Sequence, residues 1–432
     1  MNSLTPMLKH NEYKDSGISW LGSIPSHWEG VPLCSVSKLK SITNHVDEPL
    51  LSVYLDKGVI RFDEVEAKRT NVTSLDLSKY QLVEPGNFVL NNQQAWRGSV
   101  GVSAHRGIVS PAYLVLQLSS KIYPRFGNYL FRDGSMVANY LVNSKGVGTI
   151  QRNLYWPQLK RALVFFPGLD EQIAIANFLD EKTSQIDEAI SIKQKQIELL
   201  KERKQIIIQQ AVTQGLNPNV PMKDSGVDWI GTIPEHWSVK RAKYLLDEIN
   251  ERSETGLEEL LSVSHMTGVT PRSEKNVTMF MAEDYTGSKL CHSGDLVINI
   301  MWAWMGALGV SDRTGIVSPS YGVFREQREG TFVPKYLEML LKSTKYVEYY
   351  NKVSTGLHSS RLRFYGHMLF DMAMGFPPYE EQTQIVDYIS RECSKVDETI
   401  TVQAEQVSKL KEYKTTLINS AVTGKIKVTE QV

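Results

Sequence analysis

The sequence has little of what marks several common classes of protein. Only three of its 432 residues are cysteines, and Cys34, Cys291 and Cys393 lie far apart with no Cys-x-x-Cys pair. That excludes a disulfide framework and a cysteine zinc site, and a reducing compartment, the cytoplasm, is expected. No stretch approaches the roughly 20 apolar residues that cross a bilayer, and residues 1–15 lack an apolar signal core. A soluble chain with no membrane association is therefore expected. Neither sign of charge is in excess, since 48 Lys plus Arg face 48 Asp plus Glu. On its face that balance argues against a nucleic-acid partner, because phosphate binding normally shows as surplus basic residues.

Catalytic motifs are missing as well. There is no Gly-x-x-x-x-Gly-Lys-Ser/Thr loop for ATP, and no Gly-x-Gly-x-x-Gly follows a strand. Phe376-Pro377-Pro378-Tyr379 invites comparison with the Pro-Pro-Tyr core of an amino-methyltransferase, but the Asn or Asp needed before the prolines is Phe. Its counterpart is Phe166-Pro167-Gly168, so both segments read as hinges before a helix. His27 and His236 read as isolated packing or capping groups, and no metal cluster, nucleophile or carboxylate pair is expected.

What is present is a sequence written twice. Residues 14–28, Lys-Asp-Ser-Gly-Ile-Ser-Trp-Leu-Gly-Ser-Ile-Pro-Ser-His-Trp, return at 223–237 as Lys-Asp-Ser-Gly-Val-Asp-Trp-Ile-Gly-Thr-Ile-Pro-Glu-His-Trp. Gly107-Ile108-Val109-Ser110-Pro111-Ala112-Tyr113 returns as Gly315-Ile316-Val317-Ser318-Pro319-Ser320-Tyr321, and Glu171-Gln172 as Glu381-Gln382. A period of about 210 residues far exceeds a solenoid unit, so each half is a domain with an appendage. The divisions are an entry segment at 1–30, a globular domain at 31–168, a central helix at 169–215, a linker repeating the entry at 216–237, a second domain at 238–377 and a C-terminal helix at 378–427. The fold class is α+β: short β-branched and aromatic runs such as Phe88-Val89-Leu90 predict strands, and 334–350 has a helical pattern.

The helical tails lack Pro and internal Gly. In the first, Ile186, Ile190, Lys193, Ile197, Leu200, Lys204, Ile207 and Ala211 alternate steps of three and four, the seam of a coiled coil. Adding 210 gives Val396, Ile400, Gln403, Val407, Leu410, Lys414, Leu417 and Ala421, so even the polar interruptions coincide. About 45 residues span roughly 66 Å as a helix, too long to bury such a seam on a domain of ordinary size. The two tails are predicted to pair, and the short link from the first helix to the second domain demands an antiparallel pair with the domains at opposite ends. The alternative is two separate helices, each packed on its own domain.

Together, the paired Asp-Ser-Gly-x-x-Trp-x-Gly-x-Ile-Pro-x-His-Trp segments, the paired Gly-Ile-Val-Ser-Pro-x-Tyr segments, the Pro then Glu-Gln helix starts and the Ala-Val-Thr ends resemble the specificity subunit of type I restriction-modification systems. The resemblance covers nearly the whole chain. It implies two target-recognition domains with pseudo-two-fold symmetry, each reading half of a split sequence in double-stranded DNA. The helices would be spacers that set the gap and dock two modification subunits. It also implies no cofactor on this chain: S-adenosylmethionine would sit on the modification subunits, and ATP and Mg2+ on restriction subunits. A self-contained methyltransferase or nuclease, or a rod that bridges two proteins, are the alternatives.

Regional charge removes the objection raised by the zero sum. Residues 31–168 carry 16 basic and 9 acidic residues, net +7, whereas 238–377 carry 16 of each, with an acidic patch at Asp247, Glu248, Glu251, Glu254, Glu258 and Glu259. The remaining segments sum to −7. For DNA contact, the second domain must gather its basic residues on one face.

Comparing the copies separates framework from candidate reading residues. After Gly86 and Gly294, Asn91, Ala95, Trp96, Gly98 and Gly101 match Asn299, Ala303, Trp304, Gly306 and Gly309. Asn92, Gln93, Gln94 and Arg97 differ from Ile300, Met301, Trp302 and Met305. Gln pairs with adenine and Arg with guanine, which suits Gln93, Gln94 and Arg97 to base reading; Trp302 would stack or pack. A later Gly-rich loop in each half suits close phosphate approach, offering Lys145, Gln151 and Arg152, and His358, Ser359, Arg361 and Arg363. The third pair is Lys57, Arg61, Lys68 and Arg69 against His265, Thr270, Arg272 and Lys275. The bland alternatives are core-filling side chains for the first set and ordinary surface turns for the others.

Inserting or deleting one heptad within 186–211 should change the gap between half-sites and leave both half-sites intact. Sequencing the sites modified by such a variant checks this, and a changed half-site with an unchanged gap contradicts it.

Overall fold

The computed structural model describes residues 7–64, 76–147, 151–275, 284–356 and 362–428, with the side chains of Val147 and Gln151 outside the description. The chain divides into two units: Met1–Gln194 with Glu405–Val432, and Lys195–Ala404. Both are mixed helix and strand, and among the described residues no helix is long and apolar enough to cross a membrane.

Phe88, Val89 and Leu90 are all fully buried, so this strand is covered on both faces and reads as a continuous apolar run rather than an alternating one. It lies inside an antiparallel four-stranded sheet ordered Ser37–Lys40, Tyr113–Leu118, Asn87–Asn91, Val100–Val102. The second unit repeats the order with Leu246–Glu248, Gly322–Glu326, Leu296–Ile298 and Leu308–Val310. Hairpins recur too, Leu51–Tyr54 with Gly58–Arg61 and Leu261–Ser264 with Gly268–Pro271. The helical run expected at 334–350 is two helices, Pro334–Leu341 and Thr344–Val353. The break falls at Ser343, whose extended backbone (φ −64°, ψ 153°) begins the second helix.

The segment 216–237, expected to act as a linker, is folded. Met222–Asp224 pairs with Thr232–Pro234, as Tyr13–Asp15 pairs with Ser23–Pro25. Each ribbon delivers a His-Trp pair to the start of a long helix. Trp28 Nε1 donates to Glu171 at 3.2 Å, and His27 Nε2 lies 2.8 Å from the other carboxylate oxygen. Trp237 and His236 meet Glu381 at 3.2 and 2.6 Å. The two histidines are therefore not isolated, because the carboxylate that holds them comes from a residue about 145 positions away and is invisible to local reading.

The next residue fastens the helix from inside. Gln172 is 0% exposed, donates to the carbonyls of Lys121 and Pro167 at 2.9 Å each, and accepts from the Tyr123 amide at 2.8 Å. Gln382 does the same with Thr331, Pro377 and Val333 at 3.0, 3.0 and 2.8 Å. The acidic first turns, Asp170-Glu171 and Glu380-Glu381, also suit the positive end of the helix dipole.

The long helices are Leu169–Gln214 and Tyr379–Val422. Within the first unit they run antiparallel, with Lys414 on Asp187 at 2.6 Å and Lys193 bonded to Gln406. Within the second, Lys204 meets Asp397 at 2.6 Å, also antiparallel. These ion pairs are repeat-related, since adding 210 to Lys204 and Asp187 gives Lys414 and Asp397. Exposed as they are, each contributes at most about 1 kcal/mol, so their larger effect is on register. Ile186, Ile190, Val407 and Leu417 are buried in the first unit and Val396 in the second, whereas Ile197, Leu200, Ile207, Ile400 and Leu410 are half-buried.

The C-terminal helix stops at Val422 rather than reaching residue 427. Gly424 has φ +71°, and a Cβ there would meet Pro25 Cδ at 2.3 Å, so the chain leaves the helix to pass the entry ribbon. Gly215, at φ +76°, ends the first helix beside Trp237.

Replacing Gln172 by Ala should destabilise the first unit by about 2–3 kcal/mol, because two carbonyls and an amide lose their partner inside the protein. Denaturant unfolding followed by fluorescence measures it, and a change below about 0.5 kcal/mol contradicts the clamp.

Candidate nucleic-acid interface

The residues shared by the two copies after the central strand are those that make a turn. Asn91 Oδ1 accepts from the Gln93 amide at 3.1 Å, Trp96 Nε1 donates to the Gln93 carbonyl at 3.0 Å, and Gly98 closes the turn at φ +102°. Asn299, Trp304 and Gly306 make the same contacts, at 3.2 Å to the Met301 amide, 3.0 Å to its carbonyl, and φ +79°. Ala95 and Ala303 are fully buried beneath. On this common backbone stand different side chains. Gln93 and Arg97 are exposed and Gln94 is half-buried in the first unit, against exposed Met301, Trp302 and Met305 in the second. Arg97 lies 4.6 Å over the Trp96 ring. Trp302, 48% exposed, stacks on Trp304 with centroids 5.8 Å apart. Neither Arg97 nor Trp302 fills a core.

The second candidate segment lies against the first. In the first unit it is a hairpin, Ser144–Val147 with Gln151–Leu154, rather than an open loop. Lys145 sits opposite Asn153 and Gly146 opposite Arg152, while the Gln151 backbone pairs with Val147. The Leu154 amide donates to the Asn92 carbonyl at 2.9 Å, which ties the hairpin to the turn. In the second unit Thr355 pairs with Arg363, and the Phe364 amide donates to Ile300 at 2.9 Å. Lys145 and Arg363 are exposed and Arg152 half-buried. His358, Ser359 and Arg361 lie outside the described residues, as do Lys68 and Arg69.

The third candidate set flanks the same turn. Ser99, just past Gly98, donates its hydroxyl to Val53 in the hairpin whose last residue is Arg61. Lys57, at the hairpin turn, and Arg61 are both exposed. Arg132 caps the hairpin turn by donating to the Asp56 carbonyl, and burial lowers its pKa. In the second unit His265 is exposed at the hairpin turn, and Arg272 and Lys275 are half-buried beyond it. Burial lowers the Lys275 pKa, and repulsion from Arg272 and Lys342 lowers it further, so positive charge is gathered here. Thr270 is half-buried within its strand.

Part of the charge in the second unit is internally matched. Arg325 meets Asp295 at 2.7 Å and Glu251 at 3.0 Å, His292 meets Glu251 at 2.9 Å, and Arg313 meets Glu259 at 3.4 Å. Hydrogen bonds from His292 and Arg325 hold Glu251 below the usual carboxylate range. Three members of the acidic patch, Glu248, Glu251 and Glu259, are thus engaged with Lys289, with His292 and Arg325, and with Arg313. Among the described residues, His265, Arg272, Lys275 and Arg363 have no carboxylate within 4.0 Å.

Sequence comparison passed over Tyr155 and Tyr365. Each follows its candidate segment directly and is exposed in both units. They are identical between the copies at an offset of 210.

No protein-family model matches the chain. It is similar to the type I restriction enzyme MjaVIII specificity subunit of Methanocaldococcus jannaschii, 24% identical over 94% of each chain. A second protein of that organism, the putative type I restriction enzyme MjaX specificity subunit, is 23% identical over 98% of this chain and 99% of its own. Among solved structures, a chain from a study of complex assembly and conformational transition in the type I R-M system superposes with TM-score 0.63, 15% identity, and coverage of 92% of this chain and 98% of its own. The HsdS subunit from Thermoanaerobacter tengcongensis gives 0.53 and 16%, covering 93% and 98%. The resemblance read from the repeated motifs and the two-domain α+β class with coiled-coil spacers both hold.

Replacing Gly98 or Gly306 by Ala should cost about 1–2 kcal/mol in the unit concerned, since both sit in left-handed backbone that a Cβ disfavours. Chemical denaturation reads this, and unchanged stability would mean the turn relaxes freely.

Proposed function

We propose, from a likeness to specificity subunits that runs the length of the chain, that this protein is the DNA-recognition subunit of a type I restriction-modification complex. The supporting observation is one backbone turn, built twice from the same residues and carrying different exposed side chains in each copy. Each globular domain, 31–168 and 238–377, reads one half of an asymmetric bipartite site in double-stranded DNA. Gln93 and Gln94 suit adenine and Arg97 suits guanine in the major groove. Trp302 offers a face for apolar contact, and Lys145, Arg152, Arg61, Arg272, Lys275 and Arg363 offer charge to phosphates.

The paired helices set the gap between half-sites and dock two modification subunits. S-adenosylmethionine belongs to those subunits, and ATP and Mg2+ to restriction subunits that join for cleavage. This chain makes no bond itself; it selects where its partners act. A bridging scaffold would need no exposed Gln and Arg on one copy of a turn and Trp and Met on the other.

In the complex with its modification partner, Arg97→Ala should relax discrimination at one position of one half-site by about 1–3 kcal/mol, and Trp302→Ala should affect only the other half-site. Lys145→Ala should weaken binding uniformly and flatten the salt dependence by about one unit of slope. Binding to a randomised DNA library measures all three. Loss of preference in both halves from one substitution, or binding without preference by the parent complex, overturns the reading.

A further inference from the structure

The first unit holds a second histidine that the clamp does not use. His10 has a side chain only 7% exposed, and its Nε2 is buried with no hydrogen-bond partner. Its Nε2 lies 3.9 Å from Glu171 Oε1. Across the same carboxylate stands His27 Nε2, 2.8 Å from Oε2. One ligand atom from each of the three residues lies within 4.8 Å of the others.

We propose that His10, His27 and Glu171 form a binding site for one divalent transition-metal ion, with Zn2+ as the fitting ion. Two neutral imidazoles and a carboxylate match the donor set zinc takes. Tetrahedral ligands at about 2.0–2.2 Å from zinc stand roughly 3.3 Å apart, so small side-chain rotations close the site. The fourth position opens on a cleft lined by Asn11, Glu12, Ser26, Asp170 and Lys427, where water completes the coordination. As the ion enters, the neutral His27 ring presents Nε2 to it and carries its hydrogen on Nδ1, the transfer running through water. The ion joins the N-terminal segment, the His-Trp motif and the first turn of the long helix. The second half keeps His236 and Glu381, but the residue aligned with His10 is Asn219, so one site per chain is expected.

The test titrates the full chain, freed of metal, with ZnCl2 by calorimetry and with CoCl2 by absorption. One ion per chain, cobalt d–d bands without thiolate charge-transfer absorption, and a raised melting temperature are expected. His10→Asn should weaken binding at least about tenfold and abolish the metal-induced rise, while the metal-free melting temperature stays at the parent value and shows that the variant folds. No saturable binding, thiolate bands, or parental affinity in His10→Asn overturns the proposal.

Discussion

The first turn of each long helix carries the constraint on which its unit depends. Glu171 and Glu381 face outward to a His-Trp pair, while Gln172 and Gln382 face inward to three backbone groups each. One dipeptide thus fixes both the roll and the position of a helix of more than 40 residues against its domain. Apolar contact along the rest of the helix is non-directional, and in the first unit Arg125 and Tyr129 add polar contacts to Asp180 further along it. The Gly at the end of the other long helix reaches the same place, since Gly424 lies against Trp28 and Gly215 against Trp237. Each unit therefore gathers one helix start and one helix end at its His-Trp motif.

Much of this was legible in the sequence because the repeat did the work of an alignment. The seam from Ile186 to Ala211 and its image from Val396 to Ala421 were readable because step lengths of three and four are dictated by helix geometry. The partners of the seam's lysines were not readable. Asp187 and Asp397 lie outside the seam, and their pairing with Lys414 and Lys204 depends on an antiparallel register that only the folded pair supplies. His27 looked solitary for the same reason. Identity between copies marks what both copies need, whether for folding or for a shared contact.

The two units share a scaffold and differ in charge strategy. The first domain carries a net surplus, whereas the second binds much of its charge in internal pairs around Glu251, Asp295 and Arg325 and leaves Arg272 and Lys275 repelling each other. A neutral total is thus compatible with a local positive face, since phosphate contact depends on where unpaired charge lies rather than on its sum.

We propose that one chain reads two different half-sites through one repeated turn. Mapping modified bases across the genome of a host that carries this chain with its modification partner tests it most directly. The account predicts one asymmetric motif in two parts with a constant gap, whereas a continuous motif, a palindrome or scattered modification would contradict it.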